Sequence, residues 1–292
     1  MLEPTPIIEQ ILNGLLVSAF YIVLALGLSL IFSLSGVVNL AHGAFYALGA
    51  YLAVSIAQRL GFFGALLLSP VCVAIIGLTI ERLFLRRLYG KDPALGMLFT
   101  FGLALTAEQA LRAIWGTTGL SFSIPAPMRG QLVAGEFLYS HYRLAILASA
   151  VFCVGGCWYL LNRTAFGLIV RAGVRDGEMV RCLGISLKPA LATIFALGVG
   201  LAALAGMLSA PLAGVQPTMG TEVLTAAFVV AVMGGLGSFW GVVLAGLLVG
   251  LVRGLAMAYY PPVADASMYL LMVLALLLRP GGPMGDRAEK FE

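Results

Sequence analysis

Apolar runs recur along the whole chain, near 10–33, 43–58, 62–84, 94–115, 141–161, 189–213, 222–236, 240–258 and 264–279. Crossing the hydrocarbon of a bilayer takes about 20 helical residues, and most of these runs have that length. Those at 43–58, 222–236 and 264–279 are shorter, so the expected count is eight or nine transmembrane helices. With 61% of its 292 residues hydrophobic and 10% charged, the chain has more apolar surface than a soluble domain can bury. Its solvent is lipid. The expected fold class is an all-α integral membrane protein, a polytopic helical bundle forming one transmembrane domain over residues 1–292.

The charges give this bundle a direction. Arg82, Arg86, Arg87 and Lys91 fall in one loop, and five basic residues fall in 162–188. Arg279, Arg287 and Lys290 fall in the tail, so these three regions hold 12 of the 17 Lys and Arg. Nine crossings place all three on one side, which the positive-inside rule makes the cytoplasm. The N-terminus, with Glu3 and Glu9 and no basic residue before Arg59, is then outside and the C-terminus cytoplasmic. A cleavable signal peptide needs a basic start, so the first run is expected to be a retained helix. Basic residues gathered in short loops account for the net charge of +4 without nucleic acid. The polar segment 116–140, with Pro125 and Pro127, is expected outside as an irregular cap or a short interfacial helix.

The basic loop 162–188 carries Arg163, Arg171, Arg175, Arg181 and Lys188. Within it, Asp176-Gly-Glu178-Met179-Val-Arg-Cys-Leu183-Gly184 reads as a short amphipathic helix. Asp176 can cap its N-terminus, and Gly184 can supply the left-handed residue that ends it. A structured element on one face of a lipid-soluble chain suggests a docking point for a soluble partner.

Two breaks interrupt the apolar pattern. The first is Ser33-Leu-Ser-Gly36-Val-Val-Asn39-Leu-Ala-His42-Gly43, in which Asn39 is placed to cap a helix starting at Leu40. The second is Met233-Gly234-Gly235-Leu-Gly237-Ser238-Phe-Trp-Gly241. Breaks in corresponding places of two halves point to a translocation path, and tight hairpin turns are the competing reading. For His42, a structural hydrogen-bonding role competes with a proton relay. Small residues also recur every fourth position, at Gly198, Ala202, Gly206, Ala210 and Gly214, and again at Gly246, Gly250 and Gly254. Such stripes let helix backbones approach closely, within the bundle or against a second subunit.

Among ionisable groups inside the runs, Glu108 and Arg112 are spaced to pair. Arg253 can reach the interface, Glu222 or Asp265. Cys153 and Cys157 share a helix face and read as packing residues, since no His or carboxylate lies near them in sequence; no metal site is expected. The chain has two histidines and no H-E-x-x-H or G-x-S-x-G motif, so no catalytic residues are expected. Its only Gly-Lys pair, Gly90-Lys91, lacks the preceding glycine of a nucleotide-binding loop.

Taken in order, Asn39-Leu-Ala-His42-Gly43, Arg171-Ala172, Leu183-Gly184-Ile185, Leu204-Ala-Gly206, Gly234-Gly235-Leu-Gly237-Ser238 with Gly241, and Leu278-Arg279-Pro280 resemble the first permease subunit of bacterial branched-chain amino-acid ABC importers. The resemblance implies the permease architecture of the ribose/vitamin-B12 type, located in the bacterial inner membrane. It implies four kinds of partner: membrane lipid, a second permease subunit, two cytoplasmic ATP-binding subunits and a periplasmic substrate-binding protein. No cofactor is bound by this chain itself, ATP being used by the partner subunits. Arg171, Ala172, Asp176, Glu178, Met179, Leu183, Gly184 and Ile185 would form the ATPase-coupling element. Two departures are visible, Trp240 where the family often has proline and an altered tail at 281–285. The implied cargo is a branched-chain or other small amino acid, with urea or short amides as an alternative within the family. The alternative of another class, a stand-alone secondary transporter, is expected to show intramembrane acids for ion coupling, which these runs almost lack.

Overall fold

The structure, a computed structural model, describes residues 4–134 and 137–278. The basic tail with Arg279, Arg287 and Lys290, the Arg279-Pro280 pair and the altered stretch 281–285 lie outside the described residues. The elements in chain order are α1 (Pro4–Ser35), α2 (His42–Leu83), α3 (Pro93–Trp115), β1 (Gln131–Ala134), β2 (Phe137–Ser140), α4 (His141–Arg163), α5 (Ala165–Arg175), α6 (Gly177–Cys182), α7 (Lys188–Ala213), α8 (Met219–Gly234), α9 (Phe239–Tyr259) and α10 (Ala264–Leu278). Among them, seven helical segments are long and apolar enough to cross a membrane, and α8 is apolar but shorter.

The runs expected at 43–58 and 62–84 form one element, α2, interrupted where Gly61 adopts φ 69° and ψ −179°. That backbone region is costly for any residue with a Cβ, so glycine marks the join between the two arms. At the start of α3, Asp92 accepts the Ala94 N–H at 2.9 Å, and Pro93 occupies the first turn, where its missing N–H costs nothing.

The chain forms two compact units. One contains the residues up to Ser29, Ile124–Phe152 and those from Ala226 onward. In it, the second small-residue stripe works as a packing face. A Cβ on Gly246 would lie 2.5 Å from Ile22 Cγ1, one on Gly250 2.3 Å from Ser18 Oγ, and one on Gly254 2.4 Å from Gly14 Cα. Ser18 Oγ adds a hydrogen bond across this contact to the Leu247 carbonyl at 3.1 Å. Of the two acids considered for Arg253, the structure selects Asp265, with Nη2 2.8 Å from Oδ1.

The segment 116–140 differs from the expected cap. It holds a 3-10 turn at Ala126–Met128 and an antiparallel hairpin in which Leu132 pairs with Tyr139. Tyr139, buried on the second strand opposite Leu132, suits a pleated surface. The hairpin is tied to α1, since Tyr139 Oη donates to the Leu12 carbonyl at 3.2 Å and Arg143 Nη1 donates to Asn13 Oδ1 at 2.6 Å.

The other unit contains Leu30–Ser123 and Cys153–Thr225. Here α2 and α7 pack through small residues. A Cβ on Gly206 would meet the Tyr46 carbonyl oxygen at 2.0 Å, one on Gly49 the Ala203 Cα at 2.4 Å, and one on Gly77 the Val199 Cγ2 at 2.4 Å. Of the expected stripe, Gly206 makes this contact within the chain and Gly198, Ala202 and Ala210 are buried on α7, whereas Gly214 ends that helix with φ 75°. One hydroxyl contact locks the α2–α7 interface, Tyr46 Oη lying 2.6 Å from Ser209 Oγ, and Ser69 Oγ ties the two arms of α2 together by donating to the Gly49 carbonyl at 2.6 Å.

Candidate functional site

The first break is a six-residue connection between α1 and α2; Asn39 within it and His42, the first residue of α2, are buried. The helix begins at His42, two residues later than the expected start at Leu40. Asn39 Oδ1 accepts the Ala41 N–H at 3.1 Å, so Asn39 closes a turn ahead of the helix and does not cap its first turn. The His42 N–H donates to the Asn39 carbonyl at 3.2 Å. One side chain from α3 holds this loop. Thr100 Oγ1 accepts the Leu40 N–H at 3.1 Å, and Val37 packs where a Cβ on Gly96 would come within 2.6 Å. Gly43, the first glycine of α2, lies against Gly220 at the start of α8.

The second break is a tight turn between α8 and α9. Gly235 and Gly237 have φ of 89° and 92°, and the Ser238 N–H donates to the Gly235 carbonyl at 2.9 Å. Ser238 then caps α9, its Oγ accepting the Gly241 N–H at 3.2 Å. The two helices touch at this turn, where a Cβ on Gly241 would stand 1.9 Å from the Gly234 carbonyl oxygen. Ser29 Oγ accepts the Gly237 N–H at 3.1 Å and fixes the turn to α1. Of the two readings of this break, the hairpin turn describes its geometry.

The segment 162–188 is more ordered than its sequence announces. Thr164 Oγ1 accepts the Gly167 N–H at 3.1 Å and starts α5, a helix inside what read only as a polar stretch. Gly167 allows α5 to fold back on the end of α4, since a Cβ there would lie 2.1 Å from the Leu161 carbonyl oxygen. Arg171 Nη1 donates to that same Leu161 carbonyl, placing a cation at a helix C-terminus where the dipole favours it. Ala172 lies on the same helix and its carbonyl accepts the Asp176 N–H at 2.9 Å.

Asp176 caps α6 as expected, Oδ1 accepting the Met179 N–H at 2.8 Å, and Gly184 terminates it with φ 79°. Val170 and Val180 are buried, as is Leu187, whose Cδ atoms stand 2.9 Å from a Cβ on Gly173 and 3.3 Å from one on Gly177. With that side covered, α6 turns outward Met179, 57% exposed, and Leu183, 71% exposed. Glu178 and Arg181 are exposed beside them, and Ile185 follows in the next turn. An apolar pair rimmed by charges on a rigid stub is the composition of a contact surface.

Behind this element a cavity of about 470 Å³ is lined by Arg86, Tyr89, Arg181, Ile185 and Lys188, among others. Next to it lies a group the sequence reading missed. Glu81 is wholly buried (0% exposed) and its oxygens have no hydrogen bond among the described residues; Arg86 Nε lies 3.8 Å from Oε1. Arg86 Nη2 also donates to the Lys188 carbonyl at 3.5 Å, linking the end of α2 to the start of α7. Burial, then the Glu81 carboxylate, pushes the Tyr89 phenol above its ordinary value, so it stays a neutral hydroxyl.

A second cavity, of about 260 Å³, opens among the first turn of α2, one face of α3 and the start of α8. Gly43, Ala47, Phe101, Leu105, Gly220 and Leu224 form much of its apolar wall, and Glu108 reaches it. The expected Glu108–Arg112 pair is present, Nη2 lying 2.5 Å from Oε1.

Residues 10–277 match the family model described as branched-chain amino acid transport system / permease component. The chain is 28% identical to the high-affinity branched-chain amino acid transport system permease protein BraD of Pseudomonas aeruginosa, with 95% of each chain covered. It is 26% identical to LivH, a permease protein of the same kind of system in Escherichia coli, again with 95% of each covered. It is also 30% identical to LivM of Escherichia coli, over 90% of this chain and 67% of that protein. The solved structure of PsaBC from Streptococcus pneumoniae in complex with Fab shares the fold, with a TM-score of 0.51, 11% identity, and 91% and 89% of the two chains covered. The chain is a multi-pass membrane protein that belongs to the branched-chain amino acid transport system permease family.

Proposed function

We propose that this chain is the membrane permease subunit of an ATP-driven ABC importer that moves branched-chain or other small amino acids inward and performs no chemistry of its own. The observation that carries the reading is the α5–α6 element. It is capped at both of its starts, anchored by Arg171 to the end of α4, and left with Met179 and Leu183 exposed between charges. Such a stub transmits motion between a membrane bundle and a soluble motor because it moves as one body with the helices that hold it. ATP binds the two cytoplasmic partner subunits, and their closure shifts the bundle between outward- and inward-facing states through differential contacts at this element.

In this reading the protein lies in the bacterial inner membrane with the ribose/vitamin-B12-type architecture. Nine crossings follow from counting the two arms of α2 separately and including α8, with the N-terminus outside and α5–α6 in the cytoplasm. Similarity to both LivH and LivM of one organism supports pairing with a second, related permease subunit. A periplasmic binding protein delivers the cargo. Three acids within the helices lie beside arginines, Glu81 by Arg86, Glu108 by Arg112 and Asp265 by Arg253, which disfavours these three as isolated ion-coupling carboxylates.

The test is uptake of radiolabelled leucine by the full assembly reconstituted in lipid vesicles, with ATP supplied on the side of α5–α6. Accumulation that requires both ATP and the binding protein supports the reading. Accumulation driven by an ion gradient without ATP overturns it.

A further inference from the structure

The 260 Å³ cavity in the unit of α2, α3 and α7 combines three features in one place. Its wall is small and apolar, built from Gly43, Ala44, Ala47 and Ala104 with Phe101 and Leu105. Among the residues that line it, one is charged, Glu108. Glu108 is paired through one oxygen only, and Arg112 one turn further on completes the pair. Their side chains are 19% and 35% exposed, so neither charge is sealed off.

We infer that this cavity is a transient subsite for the translocated amino acid. Glu108 receives the α-ammonium and the apolar wall takes an aliphatic side chain, while Arg112, outside the lining and paired with Glu108 one turn further along α3, meets the α-carboxylate at the cavity's edge. This rests on the transport reading above. The volume lies below the range of about 300–1,000 Å³ typical of sites for drug-sized ligands and suits one amino acid, not a peptide. A zwitterion carries one ammonium and one carboxylate close together, the complement of an ion pair at i, i+4.

Within the pair, Oε1 of Glu108 accepts from Arg112 Nη2 at 2.5 Å, and no other hydrogen bond reaches either group among the described residues. Oε2 and the remaining guanidinium N–H groups are therefore available without breaking an existing contact elsewhere. Low-polarity walls strengthen such charge contacts, while competition from the internal pair keeps the cargo weakly held, as passage requires. The start of α8, where Gly220 meets Gly43, forms the floor. A shift of α8 changes the cavity directly, which couples its affinity to the state of the bundle.

The experiment uses the complete assembly in vesicles, with ATP and saturating binding protein, and reads initial uptake of radiolabelled leucine beside gel-filtration of the purified complex. The expected result is a fall of at least tenfold for Glu108→Gln and for Ala104→Phe, which fills the cavity, in assemblies that elute intact. Glu108→Asp keeps most uptake, and Thr106→Ala, on an exposed face of α3, matches the unsubstituted protein. Uptake within twofold of normal for both Glu108→Gln and Ala104→Phe overturns the subsite. Loss of assembly in either one also overturns it, marking the pair as structural or the groove as the seat of the second permease. If the unsubstituted assembly imports no amino acid at all, the transport reading itself fails, an outcome separate from the other two.

Discussion

A Cβ added to Gly43 would stand 2.0 Å from the carbonyl oxygen of Gly220, and one added to Gly220 would stand 2.3 Å from that of Gly43. The starts of α2 and α8 thus meet backbone to backbone, each glycine making room for the other. Gly43→Ala and Gly220→Ala are each expected to destabilise the protein by about 1–3 kcal/mol, the range for overpacking a tight contact. The double substitution is expected to cost less than the sum, because the first has already parted the helices. Thermal unfolding of the purified subunit in detergent, monitored for all three variants, checks both the direction and the shortfall from additivity.

Thr100→Val keeps the shape of the side chain but removes the acceptor for the Leu40 N–H. A buried backbone donor left without its partner costs about 1–3 kcal/mol. Thr100→Ser restores the oxygen and is expected to recover most of the loss. Melting temperatures of the two variants side by side measure the hydroxyl against the methyl.

Glu81 and Arg86 predict an order of severity. Arg86→Ala strands a wholly buried carboxylate and is expected to cost about 2–4 kcal/mol, whereas Glu81→Gln leaves no charge to compensate and is expected to be milder. Arg86→Ala in the Glu81→Gln background is then nearly neutral. Stability of the four proteins in a double-mutant cycle tests the coupling.

Asp176→Ala removes the side-chain acceptor of the Met179 N–H, a cap worth about 1 kcal/mol. Faster hydrogen exchange over 177–183 with unchanged exchange in α7 is the expected signature, and Asp176→Asn is expected to restore protection.

The pattern of long apolar runs anticipated where the helices of membrane length lie, because burial in lipid writes a continuous apolar signature into the chain, but it read the two arms that meet at Gly61 as separate helices where the structure has one element, α2. The cap at Asp176, the stop at Gly184, the Glu108–Arg112 pair and both small-residue stripes were equally visible, since each depends on residues close in sequence or on a period. The hydroxyls of Thr100 and Ser29 were not. Each hides in an apolar run, and its partner, Leu40 or Gly237, is distant along the chain. Glu81 escaped notice for a similar reason: its burial is set by packing, which no local spacing reports. The helix start at His42 was missed by two residues because an Asn turn and an Asn cap use the same side-chain oxygen. The 260 Å³ cavity, assembled from residues 40 to 224, has no sequence signature at all.

The central claim, that α5–α6 joins the membrane bundle to an ATP-driven motor, is tested most directly by combining Glu178→Arg with Leu183→Arg. Both side chains are exposed, so the change alters the contact surface without disturbing what is buried beneath it. The measurement is co-purification of the ATP-binding subunits with the permease, with ATP-driven leucine uptake read from the same preparation in vesicles. The account predicts that the ATP-binding subunits are lost and that uptake falls to background. Retention of both at the level of the unsubstituted protein would contradict it.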